Sequence, residues 1–311
     1  MRLFVFGTLL AAGALTATRA PAEVESVWSK ARAPAEGPAL SIGSYSSGCV
    51  QGARELPLPA PGGRYTVMKP ERRRVFGHPQ LIDFIVQLST HLEQKQLGPL
   101  AIGDLGQPRG GPAPNGHASH QTGLDVDLWY EPGTPGAEQH SVVDPAAQKP
   151  SAYWSERVPA LLELAARDPH VARIFVNAVV KQQLCRAPQA APGASSPAPE
   201  RAWLGKLRPW WGHNEHFHVR LACPADSPEC QPQPPLPAGD GCEELEWWLS
   251  PETAQDRNKG VETYQKRVGA QPKLPDSCKK VATALAAKAK PGKISRAPAL
   301  ATPAAPDQAA R

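Results

Sequence analysis

The chain has 311 residues, 36 of them proline, and a formal net charge of +5 at pH 7. Proline lacks the helix hydrogen-bond donor and clashes with the preceding turn, so this content excludes an all-helical bundle and a long coiled coil. Most of the charge lies at the two ends. Residues 281–311 hold five basic residues against one acidic residue, residues 1–20 hold two basic residues, and the part between them carries −1. A nearly neutral body argues against a nucleic-acid-binding protein.

Residues 1–20 have the pattern of a secretory signal peptide. Arg2 precedes an apolar run over residues 3–15, and small residues follow at Ala20 and Ala22, where we expect cleavage. The run is short for a membrane span, and no later segment is apolar enough to be one. The sequence therefore predicts an exported protein without a membrane span.

The body of the chain alternates short helix and strand patterns. Apolar residues at helical spacing predict helices over residues 78–97, 156–167 and 177–184. Alternating or apolar runs predict strands over residues 124–130, 171–176 and 217–221. Because no regular βαβ rhythm appears, we expect an α+β fold whose core is a small antiparallel sheet flanked by helices.

Three stretches rich in proline and alanine interrupt this pattern. Residues 187–201 and 224–239 are predicted to be surface loops, and residues 291–311 belong to a disordered tail that we begin at residue 281.

The cysteines are even in number, and this indicates three disulfides in an exported chain, with fifteen ways to pair them. They are Cys49, Cys185, Cys223, Cys230, Cys242 and Cys278. Cys223 and Cys230 flank a turn-rich segment that can close on itself. The spacing leaves the other pairings open.

Two clusters hold five of the nine histidines. The first, over residues 115–127, contains His117, His120, Asp125 and Asp127, and the second, over residues 212–219, contains three histidines: His213, His216 and His218. Residues two apart on a strand share a face, so His216 and His218 should point to the same side.

A turn over residues 121–123 would bring His120 back beside the strand that carries Asp127. Two imidazoles and a carboxylate would then meet at one point, the open three-ligand arrangement of a catalytic zinc site. The alternative is a set of unrelated surface or core histidines. No Gly-x-Ser-x-Gly elbow and no His-Glu-x-x-His helix is present.

Other residues have plainer interpretations. Asp125 is either a support for a metal ligand or a strand carboxylate bonded to backbone. For Trp210 and Trp211 we favour core packing over a substrate groove. His78, just before the first long apolar helix, is interpreted as a cap or a buried hydrogen bonder.

The two clusters also resemble a known family. Residues 119–127 and 216–220 look like the paired zinc motifs of the lysostaphin/D-Ala-D-Ala-metallopeptidase/hedgehog group, and they are most similar to the penicillin-insensitive murein endopeptidases. Further similar stretches lie at residues 41–44, 73–79, 102–106, 173–177, 181–185 and 208–211. The similarity covers a zinc metallopeptidase domain over residues 41–280.

The resemblance implies a role for each clustered residue. The implied ligands of one catalytic Zn²⁺ are His120, Asp127 and His218, and His117 occupies a position that is also implicated in metal binding. His216 would be the general base or the group that positions the attacking water, and His213 would help to stabilise the oxyanion. We do not predict the second ion that some members of the family hold, because no histidine closely follows Asp144.

The resemblance further implies the bridges Cys49–Cys278, Cys185–Cys242 and Cys223–Cys230. It implies a periplasmic enzyme that hydrolyses peptide cross-links of peptidoglycan between D-alanine and a diamino acid. A D-alanine carboxypeptidase and a non-catalytic cell-wall-binding protein stay open as alternatives. A homodimer also stays open, because the residues do not decide the oligomeric state.

Overall fold

The computed structural model describes residues 26–113, 118–186, 199–253, 256–257 and 273–285. The predicted signal peptide over residues 1–20 lies outside the described residues. So do most of the stretch over residues 187–201 and all of the tail from residue 286 onward.

Twelve short strands and six helices account for the named α and β elements of the described residues. The strands are β1 (Leu40–Ser44), β2 (Ser47–Gln51), β3 (Arg54–Glu55), β4 (Tyr65–Val67), β5 (Phe76–Gly77), β6 (Leu100–Ile102), β7 (Asp125–Trp129), β8 (Val143–Asp144), β9 (Lys149–Pro150), β10 (Val171–Val176), β11 (Leu207–Pro209) and β12 (His216–Leu221). The helices are α1 (Val27–Lys30), α2 (Pro79–Gln94), α3 (Arg157–Arg167), α4 (Ala178–Arg186), α5 (Leu245–Trp248) and α6 (Asp276–Thr283). The helices predicted over residues 78–97, 156–167 and 177–184 are confirmed as α2, α3 and α4. Among the described residues, none of the helices combines the length and the apolar composition that crossing a membrane requires.

The predicted α+β class is confirmed, but the central sheet is mixed rather than purely antiparallel. Its six strands lie in the order β11-β10-β12-β7-β6-β4. The four central strands are antiparallel, whereas each edge strand runs parallel to its neighbour. The reason lies in the connections: the chain passes through α2 between β4 and β6 and through α4 between β10 and β11. A helical crossover returns the chain in the same direction, which alternation within single strands does not reveal.

The sheet has two chemically different faces. Val126 and Leu128 of β7, with Phe217 and Val219 of β12, are fully buried in the main core together with residues of α2 and α3. Side chains alternate along a strand, so the residues between them point to the other face. That second face carries polar groups, and it is where the candidate site lies.

Helix α2 is positioned by its first turn. Pro79 stands at the first helical position, where its missing N–H costs nothing, and the Nδ1 atom of His78 accepts a hydrogen bond from the Gln80 N–H at 3.2 Å. The predicted cap role of His78 is therefore confirmed. The His78 N–H donates to the Gly123 carbonyl at 2.8 Å, which ties the start of α2 to the turn before β7.

All three disulfide pairings implied by the resemblance are present in the structure. Cys49 of β2 is bonded to Cys278 of α6, Cys185 of α4 to Cys242, and Cys223 to Cys230.

The C-terminal helix α6 is part of the packed body. Its residues 281–283 fall in the stretch that we predicted as tail, yet Val281 is buried with Trp28, Ile42 and Cys278. The guanidinium of Arg109 donates hydrogen bonds to the carbonyls of residues 281 and 282 in the last turn of this helix and of residue 284 just after it. A cation at a helix C-terminus satisfies carbonyls that have no partner within the helix.

Candidate active site

On the polar face of the sheet, residues of β7 and β12 lie side by side in paired rows. His218 lies opposite Asp127, Arg220 opposite Asp125, and His216 opposite Trp129. Directly paired residues of antiparallel strands have side chains on the same face. The alternation predicted for these two strands is thus confirmed, and it brings the second histidine cluster against the carboxylates of the first.

His120 reaches the same point from a loop. Its backbone has φ +66°, and Gly123, three residues on, has φ +73°. These two left-handed conformations turn the chain back before β7, as the sequence predicted for residues 121–123. The Nε2 atom of His120 comes within 3.4 Å of the Asp127 carboxylate.

His120, Asp127 and His218 therefore form one buried cluster, which we call the ligand set. One ligand atom from each lies within 4.8 Å of the other two, and each residue is at most 6% exposed. Among the residues that the structure describes, this is the one group of three or more histidine, cysteine or acidic residues close enough to hold a metal ion. Two imidazoles and one carboxylate match catalytic zinc in donor type and number.

Each imidazole of the ligand set is oriented by a hydrogen bond on its far side. His120 Nδ1 lies 2.7 Å from the Leu105 carbonyl oxygen, which can only accept, so this nitrogen donates and Nε2 faces Asp127. His218 Nε2 lies 2.7 Å from Asp125 Oδ1, so Nδ1 faces Asp127 at 3.1 Å. Histidines that bind metals are oriented in this way.

Asp125 fits both of its predicted interpretations, because its Oδ1 supports His218 and its Oδ2 accepts a hydrogen bond from the His120 backbone N–H at 3.4 Å. Its Oδ1 also accepts from the Arg220 Nε at 2.6 Å, and the Asp125 side chain is fully buried. Burial alone would raise the pKa of this carboxyl, but Arg220 and His218 outweigh burial and lower it below its usual range. Asp125 is therefore a buried anion that holds His218 in one orientation.

Charge in the ligand set favours a cation. Burial disfavours the charged form of His120, but the Asp127 carboxylate outweighs it and raises the pKa of His120 to about 9. The pKa of Asp127 is held well below its usual range, because His120 and His218 overcome the effect of burial. The carboxylates thus attract positive charge to this point, whether it comes as a proton or as a metal ion.

His213 and His216 stand beside the ligand set, and we call them the outer pair. Their ring centroids are 5.2 Å apart, and the His216 ring packs on Trp129 at 5.5 Å. Burial, aided by the charge of His216, lowers the pKa of His213 to about 3, and burial also lowers the pKa of His216. Both rings are neutral near pH 7. His213 Nδ1 lies 3.0 Å from the Trp211 carbonyl, so the neutral ring donates there and Nε2 is an acceptor.

The tryptophans near the outer pair are more open than predicted. Trp210 is 48% exposed, so the preferred interpretation of core packing is wrong for this residue. It packs instead against Trp211, Trp248 and the ring of Phe175. Aromatic content alone does not distinguish a core from an exposed aromatic cluster, and the partner Trp248 lies far away in sequence.

Among the residues that the structure describes, His140 and Asp144 do not join the ligand set. His117 lies outside the described residues. His140 stacks on Tyr153 with centroids 4.0 Å apart, and Asp144 accepts a hydrogen bond from the Ala147 N–H at 2.9 Å. The structure thus gives these two residues partners of their own.

Sequence reasoning missed two supporting groups. The Leu105 carbonyl could not have been found, because backbone groups carry no residue-type signal. Arg220 could have been, since it lies two residues after His218 on a strand and therefore on the same face.

Comparison with known proteins gives one consistent result. A family model for penicillin-insensitive murein endopeptidase matches residues 41–283. A protein of that name from Klebsiella pneumoniae subsp. pneumoniae is 46% identical over 254 residues, covering 78% of this chain and 85% of the relative. One from Yersinia enterocolitica is 41% identical over 268 residues, covering 83% and 90%. One from Salmonella paratyphi C is 44% identical over 262 residues, covering 81% and 89%.

Proposed function

Because the chain belongs to the penicillin-insensitive murein endopeptidase family, we propose that it hydrolyses D-alanyl to diamino-acid cross-links of peptidoglycan with a single zinc ion held by His120, Asp127 and His218. The observation that carries the proposal is the buried ligand set, with a far-side hydrogen bond on each imidazole. His117 is a further candidate ligand on the resemblance alone.

A zinc ion bound there supplies a Lewis acid that polarises a carbonyl and brings the pKa of water to about 7. The protein's own part is to present neutral groups beside it. His216 has a lowered pKa and starts without a proton, so it is suited to accept one from the attacking water.

His213 can donate a hydrogen bond to an oxyanion only in one protonation state. The neutral ring donates through Nδ1 to the Trp211 carbonyl, so its Nε2 becomes a donor only when the ring is doubly protonated. Stabilisation of an oxyanion by His213 therefore requires it to gain a proton during the reaction.

Three disulfides and a peptidoglycan substrate are consistent with work in the oxidising periplasm, where the proposed signal peptide would deliver the chain. Location can be tested by fractionating cells that express the full chain. We expect the protein in the periplasmic fraction, shortened near residue 20.

Activity is tested by incubating the purified protein with defined cross-linked muropeptide dimers and uncross-linked monomers ending in D-alanine. We expect dimers to become monomers and the uncross-linked monomers to keep their terminal D-alanine. Release of D-alanine with dimers intact would indicate the carboxypeptidase. Lack of cleavage of any substrate with zinc present would indicate the binding protein.

A further inference from the structure

A second row of polar residues lies on the same sheet face, two residues along the strands from the row of the ligand set. Arg220 pairs with Asp125 on one side and with Arg173 of β10 on the other. In the first row, His218 pairs in the same way with Asp127 and Phe175. Two residues along a strand correspond to about 6.6 Å, so the two rows are neighbours.

Arg220 is fixed in this second row. Its Nε donates to Asp125, its Nη1 donates to Gln233 Oε1 at 2.7 Å, and its guanidinium lies 3.9 Å from the centre of the Tyr45 ring. The side chain is 8% exposed. A buried guanidinium held this firmly is a preorganised donor.

The guanidinium of Arg173 has fewer hydrogen-bond partners than that of Arg220. Its Nη2 donates to the Pro234 carbonyl at 2.7 Å, but its Nε is buried without a hydrogen-bond partner. Within the part of the chain that the structure describes, no carboxylate forms an ion pair with it. Burial and the nearby charges of Arg220 and Arg208 lower its pKa. Buried donors normally have partners, so an unsatisfied one beside a second cation indicates a missing acceptor.

Arg173 and Arg220 are both among the residues that line one cavity of about 90 Å³, together with Tyr45, Thr122 and Gln233. Among the described residues, Asp125 is the one carboxylate that pairs with Arg220, and it also bonds to His218. The row therefore carries one uncompensated positive charge. The cavity suits one small anionic group better than a sugar ring.

We propose that Arg173 and Arg220 bind a carboxylate of the substrate, on the residue that supplies the nitrogen of the scissile amide. This inference rests on the proposed function. A diamino acid with a free carboxyl beside its acylated amine has that carboxyl carbon two bonds from the scissile nitrogen. Such a carboxylate lies about 4 Å from the reacting carbon, and a charge-assisted hydrogen bond adds about 2.8 Å. The sum is comparable to the spacing of about 6.6 Å between the two rows.

The arginine pair thus selects the type of cross-link. Diamino acids that keep a carboxylate next to the acylated amine are bound, and those with a plain methylene or an amidated carboxyl there leave both guanidiniums without the anion.

The test uses two cross-linked peptide dimers that differ only in this carboxyl, free in one and a primary amide in the other. For the unmodified zinc-loaded protein we expect kcat/KM to be at least about tenfold higher for the free carboxylate, the scale of a hydrogen bond to a charged group. The difference should lie mainly in KM.

Arg173→Gln should bring the two kcat/KM values together, and Arg173→Lys should leave an intermediate ratio, because it keeps the charge but loses the planar fork. Arg64→Gln is the matched control. Arg64 pairs with Glu93 beside the far edge strand β4, and the control should keep the full ratio.

The outcomes separate the two proposals. Equal cleavage of both dimers by the unmodified protein overturns the carboxylate site and leaves the endopeptidase standing. Lack of cleavage of either dimer overturns the endopeptidase itself. If Arg173→Gln does not fold, Arg173→Lys decides the question, and an unchanged ratio in the folded variant assigns Arg173 a structural role only.

Discussion

Burial alone would lower the pKa of His120 in the ligand set and of His213 in the outer pair, whereas the nearby charges act differently on the two rings. His120 lies 3.4 Å from the Asp127 carboxylate, and its pKa is raised to about 9. His213 packs on another histidine, and its pKa is lowered to about 3. Burial lowers the pKa of both rings, so the nearby carboxylate decides the sign. One sheet face can therefore hold a cation at one point and keep neutral proton acceptors beside it.

Removing a ligand should have the largest effect. His120→Ala and His218→Ala should lose bound zinc and lower kcat/KM by more than about 100-fold, the upper range for residues that only orient a ligand. His213→Ala should lose activity but keep about one equivalent of zinc, measured by elemental analysis. Full zinc content in His218→Ala would contradict the assignment of the ligand set. His170→Ala, at an exposed residue after α3, is the control.

Asp125→Asn should lower zinc affinity by about 10- to 100-fold, the usual effect of losing an orienting carboxylate. The asparagine keeps the shape but removes the charge that Asp125 presents to His218 and Arg220. Competition with a zinc-binding dye measures the change. Asp83→Asn, on the exposed side of α2, should have no effect on affinity, and an equal loss in both variants would refute a specific role of Asp125.

Gly123→Ala tests how much the ligand set depends on the backbone turn before β7. A Cβ at Gly123 would lie 2.8 Å from His78 N and 3.1 Å from Val50 Cγ2, with φ +73°. Gly136 has a similar φ of +77° but open space around its Cβ position. Gly136→Ala measures conformational strain alone, about 1 kcal/mol. Gly123→Ala should cost about 1–3 kcal/mol more in unfolding free energy, and it should also weaken zinc binding. Equal costs in denaturant unfolding would show that the turn adapts.

The outer pair should make stability sensitive to acid. The folded pKa of His213 lies below its unfolded value of about 6.5, so the unfolded state takes up the proton first as pH falls. Stability is therefore lost from about pH 6.5 downward. His213→Gln should reduce the loss between pH 6.5 and 4.5 by about 1 kcal/mol, an amount discounted for partial solvent exposure of the ring. Denaturant unfolding of the metal-free protein at both pH values tests this, with His170→Gln as the exposed control.

Most of the ligand set could be predicted from short patterns in the sequence. His218 and Asp127 fall on strands with clear alternation, and the glycine turn places His120 beside them. The disulfide pairings followed from the family resemblance, because spacing alone allows too many combinations.

The other features of the fold and the site depend on contacts between segments that are distant in sequence. The parallel edge strands result from helical crossovers, and the exposure of Trp210 depends on α5, which lies more than thirty residues further on. Arg173 and Arg220 meet only because β10 pairs with β12 in one particular register. Alternation within the strands excludes a shift of that register by one residue, which would exchange the two faces, but it does not exclude a shift by two residues.

The bond between Cys49 and Cys278 joins residues 229 apart, and both site strands, β7 and β12, lie between them. The catalytic body is therefore a covalent ring with the two chain ends outside it. A single proteolytic cut anywhere within the ring opens it into a longer linear molecule but releases no piece. Nicked protein would keep its mass on a non-reducing gel and separate into fragments only after reduction. One break in the backbone therefore does not detach the residues of the ligand set from the rest of the molecule.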